Sequence, residues 1–66
     1  MNAQVETSER IIRLPEVLLF TGLKRSSLYE LIKNGHFPRP VRLSGRRSVG
    51  WFHSEVFIWI RSREKA

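Results

Sequence analysis

A chain of 66 residues without cysteine has room for one small domain, burying only about 60% of the surface its unfolded form exposes. Neither a disulfide nor a thiolate zinc site can hold it together. The net charge is +6, no apolar run approaches the roughly 20 residues of a membrane span, and Met1 to Glu9 lacks the basic start and apolar stretch of a secretory signal. A cytoplasmic protein with no membrane association is expected, with residues 1–9 forming a polar, disordered tail and residues 10–66 a single domain.

Ile11, Ile12 and Leu14 read as a short extended lead-in. Pro15 suits the first position of a helix, where its missing amide hydrogen costs nothing, so a helix is expected to start there, and Glu16 in its first turn complements the positive end of the dipole. Val17, Leu18 and Phe20 supply the apolar face of this helix of about two turns, and Gly22 permits the sharp turn that ends it. Beyond the turn, Leu28, Leu31 and Ile32 recur at the i, i+3, i+4 spacing of one helical face. Two starts are open for this second helix: a capping box of Ser27 and Glu30, or a start nearer Lys24 or Arg25. Asn34 and Gly35 close it, with His36 placed to cap its end, and the two prolines of His36-Phe37-Pro38-Arg39-Pro40 require extended chain.

From Val41 the period changes to two. Val41 and Leu43 alternate with Arg42 and Ser44, then Val49 and Trp51 with Ser48 and Gly50, which predicts a β-hairpin turning at Ser44-Gly45-Arg46-Arg47 with arginines at its tip. His53 leads into a last helix that Ser54 can cap. Glu55 lies in its first turn, Val56, Trp59 and Ile60 on its inward face, and Arg61, Arg63 and Lys65 at its negative end.

The charge is unevenly spread. Lys24, Arg25, Lys33, Arg39, Arg42, Arg46 and Arg47 face Glu30 alone within one contiguous third of the chain, which therefore carries the whole +6, while five basic and five acidic residues cancel in the flanks. Such asymmetry points to a polyanion-binding face. Two short helices joined by a glycine turn form a helix-turn-helix unit, whose second helix enters the major groove. The expected fold is thus mostly α with a small β-hairpin, a winged helix-turn-helix of three short helices and a two-stranded wing. Candidate DNA-binding residues are Lys24, Arg25, Ser26, Ser27, Tyr29 and Lys33 on and before the second helix, Arg39 and Arg42 extending the same face, and Arg46 and Arg47 on the wing. Arginine pairs bidentately with guanine, serine serves phosphate or base edges, and tyrosine bonds phosphate while packing on sugar.

Linked motifs make the pattern more specific. Glu16-Val17, Thr21-Gly22-Leu23, Arg25-Ser26, Leu28-Tyr29, Leu31-Ile32-Lys33-Asn34-Gly35, Phe37-Pro38, Pro40-Val41, Val49-Gly50-Trp51 and Ser54-Glu55-Val56 with Trp59 resemble the AlpA family of prophage regulators, from Arg13 to Arg63. The resemblance implies an excisionase-like fold, related also to the DNA-binding part of MerR-like regulators. It further implies control of transcription or excision of an integrated element, with the recognition helix on Arg25 to Asn34 and the wing on Arg42 to Ser48. Lys24 departs from the family pattern, where a serine able to cap the helix is common.

Several single residues admit a second reading. Tyr29 suits the core rim as well as DNA. Trp51 and Trp59 fall in phase with core positions and are assigned to packing rather than to stacking on single-stranded nucleic acid. His36 and His53 have no ligand-spaced companions, so neither metal nor cofactor is expected, and no serine has the histidine and acid of a catalytic site. Phe57 and Ile58 fall outside the inward face of the last helix, as scattered surface hydrophobes or as a contact with a second copy or another protein. The expected activity is regulatory binding of double-stranded DNA, without catalysis, in company with a second copy, an integrase or RNA polymerase. The alternatives are a recombination directionality factor acting at an attachment site and, in another class, a protein-interaction module or phage-encoded inhibitor.

Overall fold

The computed structural model describes residues 9–66. They form β1 (Ile11–Ile12), α1 (Leu14–Thr21), α2 (Arg25–Lys33), β2 (Val41–Ser44), β3 (Ser48–Phe52) and α3 (His53–Arg61). The expectation of a disordered tail over residues 1–9 falls outside the described residues, except at Glu9.

The sheet has three strands in the order β1-β3-β2, all antiparallel, where a two-stranded hairpin was expected. The added strand is the lead-in: Ile11 lies opposite Phe52 and Ile12 opposite Trp51. Two residues are too few to show alternation, so nothing in their local sequence distinguishes a strand from extended coil. Residues directly opposite share one face of a sheet, and Ile12 and Trp51 are both fully buried. They form the sheet's contribution to a core completed by Val17 of α1, Leu28 of α2, Phe37 of the α2–β2 connector and Val56 of α3. Leu14, Leu18, Leu23, Leu31, Ile32, Trp59 and Ile60 pack around it.

Gly50 permits the close approach of β1. A Cβ there would collide with the Ile11 side chain and lie 2.9 Å from the Ile12 carbonyl oxygen. Its place in the alternating run of β3 therefore reflects space rather than solvent exposure, and Gly50 is buried.

Three local expectations are corrected. Phe20 is 42% exposed, because the inward stripe of α1 is Leu14, Val17, Leu18 and Thr21 at the i, i+3, i+4, i+7 spacing, which leaves Phe20 at the rim. It meets His53 edge-on, with ring centroids 6.0 Å apart. Leu43 is exposed because the β2–β3 register shifts between Arg42 and Ser44. The resulting bulge takes Leu43 out of phase with Val41. Ser54 is not a cap: α3 begins at His53, with Phe52 in the capping position and no side-chain cap bond from it.

The amides at the start of α3 are served instead by the chain before β1. The Glu9 carboxylate accepts hydrogen bonds from the Ser54 amide at 3.2 Å and the Ser54 hydroxyl at 2.7 Å, and the Arg10 carbonyl accepts one from the His53 amide at 2.7 Å. Pairing Ile11 with Phe52 brings residues 9 and 10 to this helix end, so a cap arrives from far away in sequence. An anion there also meets the positive end of the helix dipole. The Ser54 hydroxyl, then the Ser54 amide, hold the Glu9 carboxyl below the usual carboxylate range.

The connector between α2 and β2 is anchored by both tryptophans. The Trp51 indole donates to the Pro38 carbonyl at 2.9 Å and the Trp59 indole to the His36 carbonyl at 2.7 Å. Phe37, between these two carbonyls, is buried and packs edge-on against Trp59 at 4.8 Å. Both indoles thus belong to packing, as their phase implied.

Gly50→Ala is expected to lower stability by about 1–3 kcal/mol through overpacking, or about 4–8 °C in Tm per kcal/mol for so small a domain, read by thermal unfolding. Glu9→Ala is expected to lower Tm at neutral pH. A carboxyl held below its unfolded value stabilises above that value and loses the effect as pH falls through the folded one, so the difference from the unaltered protein should vanish below the carboxylate range. A difference independent of pH would rule out the carboxylate as the cap.

Candidate nucleic-acid interface

Gly22 ends α1 with φ of 75°, in the left-handed region that favours glycine. Its amide donates to the Leu18 carbonyl at 2.8 Å. Thr21 fixes the turn from the helix side: its hydroxyl donates to the Val17 carbonyl at 2.8 Å and accepts from the Leu23 amide at 3.2 Å. Leu23 then packs against the core, so the reversal between α1 and α2 is held by hydrogen bonds on one side and apolar contact on the other.

Of the two starts open for α2, the structure selects the earlier. Arg25 is its first residue and Lys24 its capping residue, with φ −78° and ψ 157° and no side-chain cap bond, while Ser27 lies within the first turn. The other end closes as expected. The Gly35 amide donates to the Ile32 carbonyl at 3.1 Å and the His36 amide to the Leu31 carbonyl at 2.8 Å, the paired bonds of a Schellman motif. It is the main chain of His36 that closes the helix.

Leu28 is fully buried and Leu31 and Ile32 are half-buried, which fixes the rotation of α2. At about 100° per residue, Ser26, Tyr29 and Lys33 share the outward face, with Arg25 at its margin. Glu30 lies on the same face. Ser27 projects from the opposite flank, so the structure separates it from the other candidates. All ten candidates, Lys24, Arg25, Ser26, Ser27, Tyr29, Lys33, Arg39, Arg42, Arg46 and Arg47, are exposed, and Tyr29, at 42%, sits at the rim with its ring half covered.

Arg46 and Arg47 lie in the turn Gly45-Arg46-Arg47 between β2 and β3. Arg42 stands opposite Val49 on the paired strand, and Arg39 lies in the anchored connector. Arg13 was not among the sequence-based candidates. It is exposed, and its Nε donates to the Val49 carbonyl at 2.9 Å across the sheet, which holds a cation against the strand that follows the Arg46-Arg47 turn. Only the pairing of β1 with β3 brings it there, and its position in sequence carries no sign of that. Among the described residues no three histidine, cysteine or acidic side chains cluster as a metal site. No helix of the structure is long and apolar enough to cross a membrane.

Comparison with known proteins yields a family. The profile for the prophage CP4-57 regulatory protein (AlpA) matches residues 10–64. The chain belongs to the AlpA family. Among its relatives, the uncharacterized protein ORF88 of Enterobacteria phage P4 is 51% identical over 57 residues, 86% of this chain and 64% of that protein. The DNA-binding transcriptional activator AlpA of Escherichia coli (strain K12) is 36% identical over 62 residues, 85% of this chain and 87% of that protein. The chain thus spans just under two thirds of the length of the phage P4 relative. No solved structure gives a significant match. Within the AlpA frame, the matched region takes in every described element and all ten candidate residues.

Because Lys24 occupies the capping position without a cap bond, Lys24→Ser is expected to stabilise the protein by about 0.5–1 kcal/mol. Chemical denaturation would read this as a higher midpoint at unchanged slope; an unchanged midpoint would mean that the exposed first turn gains nothing from a hydroxyl.

Proposed function

We propose that this AlpA-family protein is a transcriptional regulator of prophage type that binds specific sequences of double-stranded DNA as an excisionase-like winged helix-turn-helix. The observation that carries this reading is the confinement of the net charge of +6 to Lys24–Arg47, the stretch comprising α2, the connector, β2 and the turn after it, with every basic side chain in it exposed. The turn held by Thr21 and Gly22, and the similarity to the DNA-binding transcriptional activator AlpA of Escherichia coli, support it further.

In this reading α2 lies in the major groove, where Arg25 and Ser26 reach base edges near its start and Tyr29 and Lys33 meet the sugar-phosphate backbone. Lys24 sits before the first turn and attracts a phosphate. Arg46 and Arg47 reach the adjacent minor groove or backbone from the wing, with Arg42 and Arg39 extending the footprint. Ser27, on the far flank of α2, contributes least. Glu30 repels phosphate from the middle of the face and thereby orients the helix. The mechanism is occupancy in the cytoplasm, without catalysis: a bound copy recruits or obstructs polymerase, or assists an integrase at an attachment site.

Selection of bound duplexes from a random library, at near-physiological salt with excess competitor, should return a defined motif. Alanine at Arg46 and Arg47 should each reduce the slope of log affinity against log salt by about one unit, while changes at Arg25 or Ser26 should alter base preference instead. No enriched motif together with a flat salt response would overturn the reading.

A further inference from the structure

α3 is only partly committed to the core. Val56 and Ile60 face inward, and at about 100° per residue Ile58 points almost directly away from them. Ile58 is 66% exposed, so a nine-residue helix carries a β-branched hydrophobe on its outer side, while Phe57, 55% exposed, lies about 100° round on the flank, stacked on His53 with ring centroids 6.0 Å apart. An apolar hollow of about 570 Å³ flanks this crest, lined among others by Phe52, Ile58 and Trp59.

The charges around the crest are arranged by symmetry. Glu55 lies three residues before Ile58 and Arg61 three residues after, both exposed and each about 4.5 Å along the axis from it. The same polarity extends beyond them. Glu9 is bound at the first turn of α3, while Arg63 and Lys65 follow its last turn, with Glu64 between them. One end of the helix is therefore acidic and the other basic. The Arg63 guanidinium is held in place 4.0 Å over the Trp59 ring, its Nε donating to the Trp59 carbonyl. A surface of this kind is complementary to itself when turned end for end.

We propose that the outer face of α3 pairs antiparallel with the same face of a second copy of this chain, Ile58 lying on the twofold axis and Glu55 facing the partner's Arg61. The twofold brings each acidic end against a basic end, opposes the two helix dipoles, and covers Ile58 with its counterpart. The contact spans only about 13 Å of helix, so it belongs to the small, reversible class of interfaces. Binding of two copies to one duplex raises their effective concentration and completes it. The pairing does not depend on DNA recognition and is testable without DNA.

Sedimentation of the full chain over a concentration series up to about 1 mM, the weak end of specific association, should show a monomer–dimer equilibrium. Glu55→Arg and Arg61→Glu should each weaken it about tenfold or more, since each replaces two attractive pairs by repulsive ones, and the double variant should restore it. Because the protein has no cysteine, Ile58→Cys should form a covalent dimer on mild oxidation, much faster than Leu19→Cys at the more exposed position on α1. A monomer throughout the series overturns the proposal. So does a double variant no better than the singles, or equal cross-linking at positions 58 and 19. All four positions are exposed, and circular dichroism confirms that each variant is folded.

Discussion

Phe37 and the two carbonyls beside it join the halves of this protein. A connector with two prolines has few backbone amides of its own to donate, yet here it must leave α2, cross the core and enter β2 in a defined direction. Trp51 and Trp59 supply the missing donors, and each indole N–H, costly to bury unpaired, finds its acceptor on the connector. Phe37 is thereby pressed into the core between a strand and a helix that are adjacent in the sequence. Removing a buried aromatic of this kind typically costs about 3–5 kcal/mol, against about 5–15 kcal/mol for the entire stability of a domain. The angle between α2 and the hairpin is therefore set by apolar packing, and the charged surface rides on it.

That division explains what was legible in the sequence. Helical periodicity is a local signal, and α2 and the inward face of α3 follow it closely. Exposure of the five candidates on α2, Arg25, Ser26, Ser27, Tyr29 and Lys33, follows from the same signal, since whatever is out of phase with Leu28, Leu31 and Ile32 points outward. The hairpin and its arginine tip were legible from the change of period and from Gly45. What escaped were relations across the chain: β1 as a strand, Glu9 as the cap of α3, Gly50 as the seat of Ile11, and Arg13 beside the wing all arise from one pairing of distant segments.

Other differences reflect geometry finer than period. A one-residue bulge puts Leu43 outside, and the exact stripe of α1 leaves Phe20 at the rim. The start of α2 was open between a capping box at Ser27 and Glu30 and a start nearer Lys24 or Arg25; the structure has the latter, with no side-chain cap bond, and from that start Leu28 faces the core while Leu23 before it packs against it. Tertiary demand overrides the local capping preference at that site.

The position of β3 also bears on how the chain folds. Its β2 edge can zip from a tight turn, a local event completed in microseconds. Its other edge waits for Ile11 and Ile12, about forty residues away, whose closure costs entropy that the buried Ile12–Trp51 contact and the hydrogen bonds of Glu9, Arg10 and Arg13 offset. On a ribosome, where the amino terminus emerges first, β1 must remain unpaired until nearly the last helix has been made. A chain arrested before Ser48 would possess α2 but none of the central strand, and β1 would have no partner to pair with.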